Sequence, residues 1–129
     1  MRKLTILFIL LVSTVMFSSP SYAKWTKLGE NMSGNTIYLD FERIRKHDGY
    51  VYWWHLIDYL KPDLLGHLSS KRYHQGDCKL FRFKKLSYVD HNQPMGRDIG
   101  DSNSPKNPKW TYPTPNSIDE SNLKQVCSR

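Results

Sequence analysis

Between residues 25 and 89, short runs of aromatic and β-branched residues alternate with polar positions and are broken by turn residues. This pattern predicts consecutive antiparallel strands, over 25–30, 36–39, 43–46, 50–60, 67–74 and 79–89. The breaks are Asn31-Met32-Ser33-Gly34-Asn35, His47-Asp48-Gly49 with the Asp-Gly pair that two-residue hairpins favour, Lys61-Pro62-Asp63, and Gln75-Gly76-Asp77. In the 50–60 run, Val51, Trp53, His55, Ile57 and Tyr59 fall on one face. Tyr50, Tyr52, Trp54, Leu56, Asp58 and Leu60 fall on the other. Both faces are apolar, so the run reads as a central strand covered on both sides, by a helix on one and by a long loop or a second subunit on the other.

From Asp90 to Asn116 the chain turns polar and carries Pro94, Pro105, Pro108, Pro113 and Pro115, which predicts a long irregular connection. Ser117-Ile118-Asp119-Glu120 then fits a capping box, so one short helix is expected from Ile118 to Cys127 with acidic residues at its positive end. Its apolar residues are few, and it needs an external tether. The expected fold is therefore mainly β, of the α+β class, with one C-terminal helix.

The first 23 residues change the count. Arg2-Lys3, an apolar stretch from Leu4 to Phe17 and small residues at Ser21 and Ala23 read as a secretory signal cleaved after Ala23. A mature chain from Lys24 has 129 − 23 = 106 residues, and 17 Lys+Arg against 12 Asp+Glu give it a net charge of +5. One small basic domain is expected, which excludes a multidomain enzyme, and the absence of alanine after Ala23 argues against a helical bundle. Lys24 stands where a lipoprotein would carry cysteine, so no lipid anchor is expected, nor any later membrane span. Export to an oxidising compartment makes Cys78 and Cys127 an expected disulfide.

Candidate chemistry is sparse. Histidines at 47, 55, 67, 74 and 91 raise acid–base cleavage of the kind small secreted nucleases use, but His47 in a turn and His55 in a central strand have structural explanations. His74 and Asp77 offer two metal ligands without a third, so no metal and no cofactor are expected. Asp58 in an apolar strand reads as the partner of a neighbouring cation, and Asn31-Met32-Ser33 matches a glycosylation triplet. The clearest feature is basic: Lys71, Arg72, Arg82, Lys84 and Lys85, with Lys79, interleave with Tyr73, Phe81, Phe83 and Tyr88. On adjacent strands these five form a ligand-binding patch for an acidic protein or polyanion, or a solvated face that protects a sheet edge. Counting alternation from Cys78 puts Arg82 and Lys84 on its face, beside the tethered helix.

Trp25, Tyr38-Leu39-Asp40, Trp54-His55-Leu56-Ile57-Asp58, Ser69-Ser70-Lys71, Asp77-Cys78, Met95-Gly96, Trp110, Pro115-Asn116-Ser117 and Val126-Cys127, in this order, resemble the surface-adhesin protein E-like domain of Gram-negative bacteria. The resemblance covers nearly the whole mature chain. It implies an antiparallel sheet of about six strands with a C-terminal helix tethered by a Cys78–Cys127 bridge, often paired as a homodimer. It also implies kinship to a surface lipoprotein that binds host cells and matrix or plasma proteins, from which this chain departs at the missing anchor cysteine. The functional expectation is an exported, non-enzymatic binding module, periplasmic or extracellular. A small basic hydrolase and a periplasmic inhibitor or envelope factor are the alternatives.

Overall fold

The computed structural model describes residues 23–129, and the signal peptide expected over 1–23 lies outside them apart from Ala23. The elements in chain order are β1 (Thr26–Glu30), β2 (Thr36–Leu39), β3 (Arg45–His47), β4 (Tyr50–Asp58), β5 (Ser69–Asp77), β6 (Arg82–His91), β7 (Asp101–Asn103) and the helix α1 (Ile118–Cys127). One antiparallel sheet of seven strands runs β1-β2-β4-β5-β6-β7, with β3 pairing alongside β4. Among the described residues no helix is long and apolar enough to cross a membrane.

β4 is the central strand, as its two apolar faces required. Val51, Trp53, His55 and Ile57 are buried, and α1 covers them: Leu39, Val51, Trp53, Leu123 and Val126 make one cluster, with Leu28, Phe41, Ile44, Phe81 and Phe83 packed around it. The helix begins as the cap residues dictate, with the Glu120 N–H donating to Ser117 Oγ at 3.2 Å. Glu120 Oε1 reaches one residue beyond the usual reciprocal partner, to the Asn116 N–H at 3.3 Å. Cys127 is bonded to Cys78 across 49 residues of chain, which ties the end of α1 to the turn between β5 and β6.

Asp48 and Gly49, both with positive φ, close the β3–β4 hairpin with His47 opposite Tyr50, as the Asp-Gly pair predicts. The next hairpin differs. Gln75-Gly76-Asp77 is not a turn but the end of β5, and the reversal comes at Cys78–Phe81. Gly76 sits where a Cβ would lie 2.7 Å from Trp53 and 3.0 Å from Leu123, so its missing side chain makes room for the core and does not serve a turn. The turn is fastened by Asp77, whose Oδ1 accepts the Lys79 and Leu80 N–H groups and whose Oδ2 accepts Arg82 Nε at 3.0 Å. The expected 90–116 connection contains a seventh strand, β7, paired with Tyr88 to Asp90. The run expected at 43–46 starts at Arg45, after a single 3₁₀ turn over Phe41–Arg43.

Candidate functional site

The sheet has two unlike faces. Pairing of Trp53 with His74, His55 with Arg72 and His74 with Lys85 sets the face under α1, and pairing of Tyr52 with Gln75, Gln75 with Lys84 and Leu56 with Lys71 sets the other. A bulge in the β5–β6 pairing leaves Leu86 unpaired between Lys85 and Ser87, so alternation along β6 does not hold throughout.

The five basic residues therefore do not form a single patch. Arg72 and Lys85 lie on the α1 face, where Lys85 Nζ sits 4.7 Å from the Tyr88 ring and Arg72 lies near enough to Asp119 to favour its charged form. Lys71, Arg82 and Lys84 lie on the opposite face. The parity count from Cys78 paired Arg82 with Lys84 correctly but placed them beside the helix; Cys78 belongs to the turn, and both side chains point away from α1.

On the face away from α1 the side chains form an aromatic band with cations at both ends. Trp110, from the proline-rich connection, lies 5.6 Å from Tyr50 and is held there by a backbone bridge between Thr111 and Phe83. Arg82 Cζ and Lys84 Nζ stand over its ring at 4.4 and 4.3 Å. Tyr52, Tyr73 and Trp54 continue the band, with centroids 6.1 Å apart for Tyr52–Tyr73 and 4.9 Å for Trp54–Tyr73. Beyond Trp54 it reaches Trp25 and a cleft of about 270 Å³ whose walls include Asp40, Arg43, Lys71 and His91, with Ala23, the residue before the expected cleavage point, closing part of it. Burial holds the Lys71 amine below the usual lysine range against the opposing pull of the Asp98 carboxylate, and Arg43 pushes it the same way as burial. Trp25, Asp40 and Trp110 entered the sequence reading only as residues that carry the family resemblance and not as site residues, because the loop and the strand ends that bring them here are far apart in the chain.

His55 and His74 come together, with ring centroids 4.6 Å apart, but 2 % and 4 % exposure closes them beneath α1. The Asn122 amide donates to His55 Nδ1 at 3.2 Å. Asp58 is not matched to a cation among the described residues: its Oδ1 accepts the Met95 N–H at 2.8 Å and fixes the start of the proline-rich connection. No group of three metal-ligating side chains occurs among the described residues.

The family model for surface-adhesin protein E matches residues 25–128. The chain belongs to the surface-adhesin protein E family. No curated protein matches it significantly in sequence. Solved structures do: crystal form II of Haemophilus influenzae protein E is 15% identical, covers 84% of this chain and 92% of its own, and superposes with a TM-score of 0.59. A second structure of Haemophilus influenzae protein E, 16% identical, covers 86% of this chain and 90% of its own with a TM-score of 0.59. Protein E from non-typeable Haemophilus influenzae is 16% identical over 85% of this chain and 79% of its own, with a TM-score of 0.57. At such identity the likeness speaks for the fold, an antiparallel sheet with a C-terminal helix. The family makes the chain a surface-adhesin-like binding module.

Proposed function

We propose that the mature chain, residues 24–129 after cleavage behind Ala23, is an exported binding module without catalytic activity. It engages an acidic partner, an envelope or host protein or a polyanionic glycan, through the face away from α1. The observation that carries this reading is the pair of cations, Arg82 and Lys84, standing over one Trp110 ring at the open end of an aromatic band. Such an arrangement offers charge for attraction and flat apolar surface for contact.

The two cations are not equivalent as test positions. Arg82 also fastens the Asp77 turn, so its reversal would place a carboxylate against Asp77 and disturb the fold. Lys84 has no such partner among the described residues. The test is binding of the exported protein to immobilised heparin, a sulfated polyanion, by the intact chain, Lys84→Glu and Trp110→Ala. Each variant is expected to weaken binding roughly tenfold with an unchanged melt, by loss of one charge contact or of the ring that supports two. Equal binding by all three would remove this end of the face from the function, and a product mass that still includes the leader would remove the processing step.

A further inference from the structure

We infer that the cleft at the other end of the aromatic band is a subsite for a single carboxylated sugar residue, of the uronic-acid type. The inference rests on the reading that this face binds, but not on Arg82, Lys84 or Trp110.

Two buried polar groups line this cleft with no hydrogen-bond partner among the described residues. Asp40 is 1 % exposed and neither carboxyl oxygen is hydrogen-bonded; Arg43 Nε stands 3.3 Å from Oδ2 as an ion pair without hydrogen-bond geometry. His91 is likewise 1 % exposed. Its Nδ1 meets Asp98 Oδ1 at 3.0 Å, which leaves Nε2 as an acceptor in the neutral ring, and Nε2 has no partner. Buried polar groups are nearly always satisfied, so unpartnered acceptors lining an opening point to a ligand that donates.

The remaining walls define the rest of that ligand. Trp25 and Trp54 line the cleft with Asp40, whose N–H donates to the Trp54 carbonyl. Indole rings lining a cleft supply apolar surface of the kind that packs against the C–H face of a sugar ring. Lys71 and His91 Nε2 converge over Gly96, whose missing side chain makes room for the Lys71 stem: a Cβ there would lie 2.5 Å from Lys71 Cε, 3.2 Å from its Nζ and 3.4 Å from His91 Nε2. Lys71 supplies positive charge for an anion, with the Asp98 carboxylate near it, while Arg43 is already paired with Asp40. A phosphate or sulfate alone would satisfy the cations but give Asp40 and His91 no proton. A cationic ligand would satisfy Asp40 but face Lys71 and Arg43. A sugar acid provides hydroxyl donors, a carboxylate and apolar ring faces together.

The test is tryptophan-fluorescence titration of the exported protein with glucuronate, glucose and acetate. Saturable quenching by glucuronate is expected, with glucose and acetate each weaker by roughly tenfold or more, since each leaves one set of buried groups unpaired. Asp40→Asn and Lys71→Met should each weaken glucuronate binding by a similar factor, and Lys84→Glu should leave it unchanged. If a thermal melt shows that Asp40→Asn does not fold, Lys71→Met and Trp25→Ala carry the same comparison. No saturable quenching, equal binding of acetate and glucuronate, or indifference to the cleft variants overturns the assignment. Loss of heparin binding in Lys84→Glu with glucuronate binding retained separates the two ends of the face. Loss of heparin binding in that variant, with no glucuronate response from the intact chain, rejects the cleft alone.

Discussion

His55 and His74 show how the interior of this protein uses polar residues at the scale of single side chains. Burial lowers the affinity of both rings for a proton, to a pKa of about 3 for His74, with Arg72 and Lys85 adding to it. Both are therefore neutral in the folded protein and protonate in the unfolded chain near 6.5, so their contribution is fully present above pH 6.5 and is lost as the pH falls toward 3. His67, held charged chiefly by its bond to Asp63, has the opposite sign: its contribution is fully present below pH 6.5 and is lost as the pH rises through its raised pKa. Asp77, stabilised as a carboxylate first by the Leu80 N–H, adds acid sensitivity below 3.8. Between pH 6.5 and about 4 the two buried rings dominate, each with a slope of up to about 1.4 kcal/mol per pH unit. Stability measured by urea melts is expected to fall across that interval, and His74→Phe to flatten the fall; a curve of equal slope in both proteins would show that His74 does not carry it.

At the scale of elements, α1 depends on its covalent tie more than on its own packing. It buries only Asn122, Leu123 and Val126, and a ten-residue helix with so little apolar area is marginal alone. The Cys78–Cys127 bond closes a loop of 49 residues, a constraint on the unfolded chain of about 4 kcal/mol in the chain-entropy view. Cys127→Ser is expected to lower the Tm by on the order of 10 °C or more, with faster hydrogen exchange in α1 before β4. Unchanged exchange in α1 would show that side-chain packing alone holds it. The helix, its cap and β4 were legible in the sequence because each carries a local signal: the Ser117–Glu120 spacing, or alternation of apolar side chains. The β5–β6 hairpin was not. Gly76 resembles a turn residue although the Trp53 ring requires it, whereas the true turn puts Phe81 at a φ of 52°, a conformation its side chain does not advertise. β7 is equally silent, since all three of its residues are exposed and no burial pattern marks them.

Over the whole molecule, the sheet divides labour between its faces: α1 closes one, and the proline-rich connection touches the other only at its two ends. Trp110 packs at one end and Met95 to Ile99 at the other, leaving Tyr52, Trp54 and Tyr73 half-buried between them. The sequence showed the cations and aromatics but not their partition, because strand register, one bulge and a distant loop decide which of them meet. That partition has a measurable consequence in salt. A chain of formal charge +7, or +5 without its leader, attracts a polyanion over the whole surface, and such attraction between exposed charges is screened beyond about 8 Å at physiological ionic strength. A single carboxylate in the cleft instead meets Lys71, which is half-buried, and the hydroxyl donors that Asp40 and His91 lack carry no net charge. Raising sodium chloride from about 0.05 to 0.5 M is therefore expected to weaken heparin binding by well over tenfold while changing glucuronate affinity by only a few-fold. Isothermal titration at the two salt concentrations reads both. Parallel losses would mean that the two ligands share one exposed, purely electrostatic site, and a salt-insensitive heparin isotherm would mean that Trp110 and its neighbours bind by contact with charge playing no part.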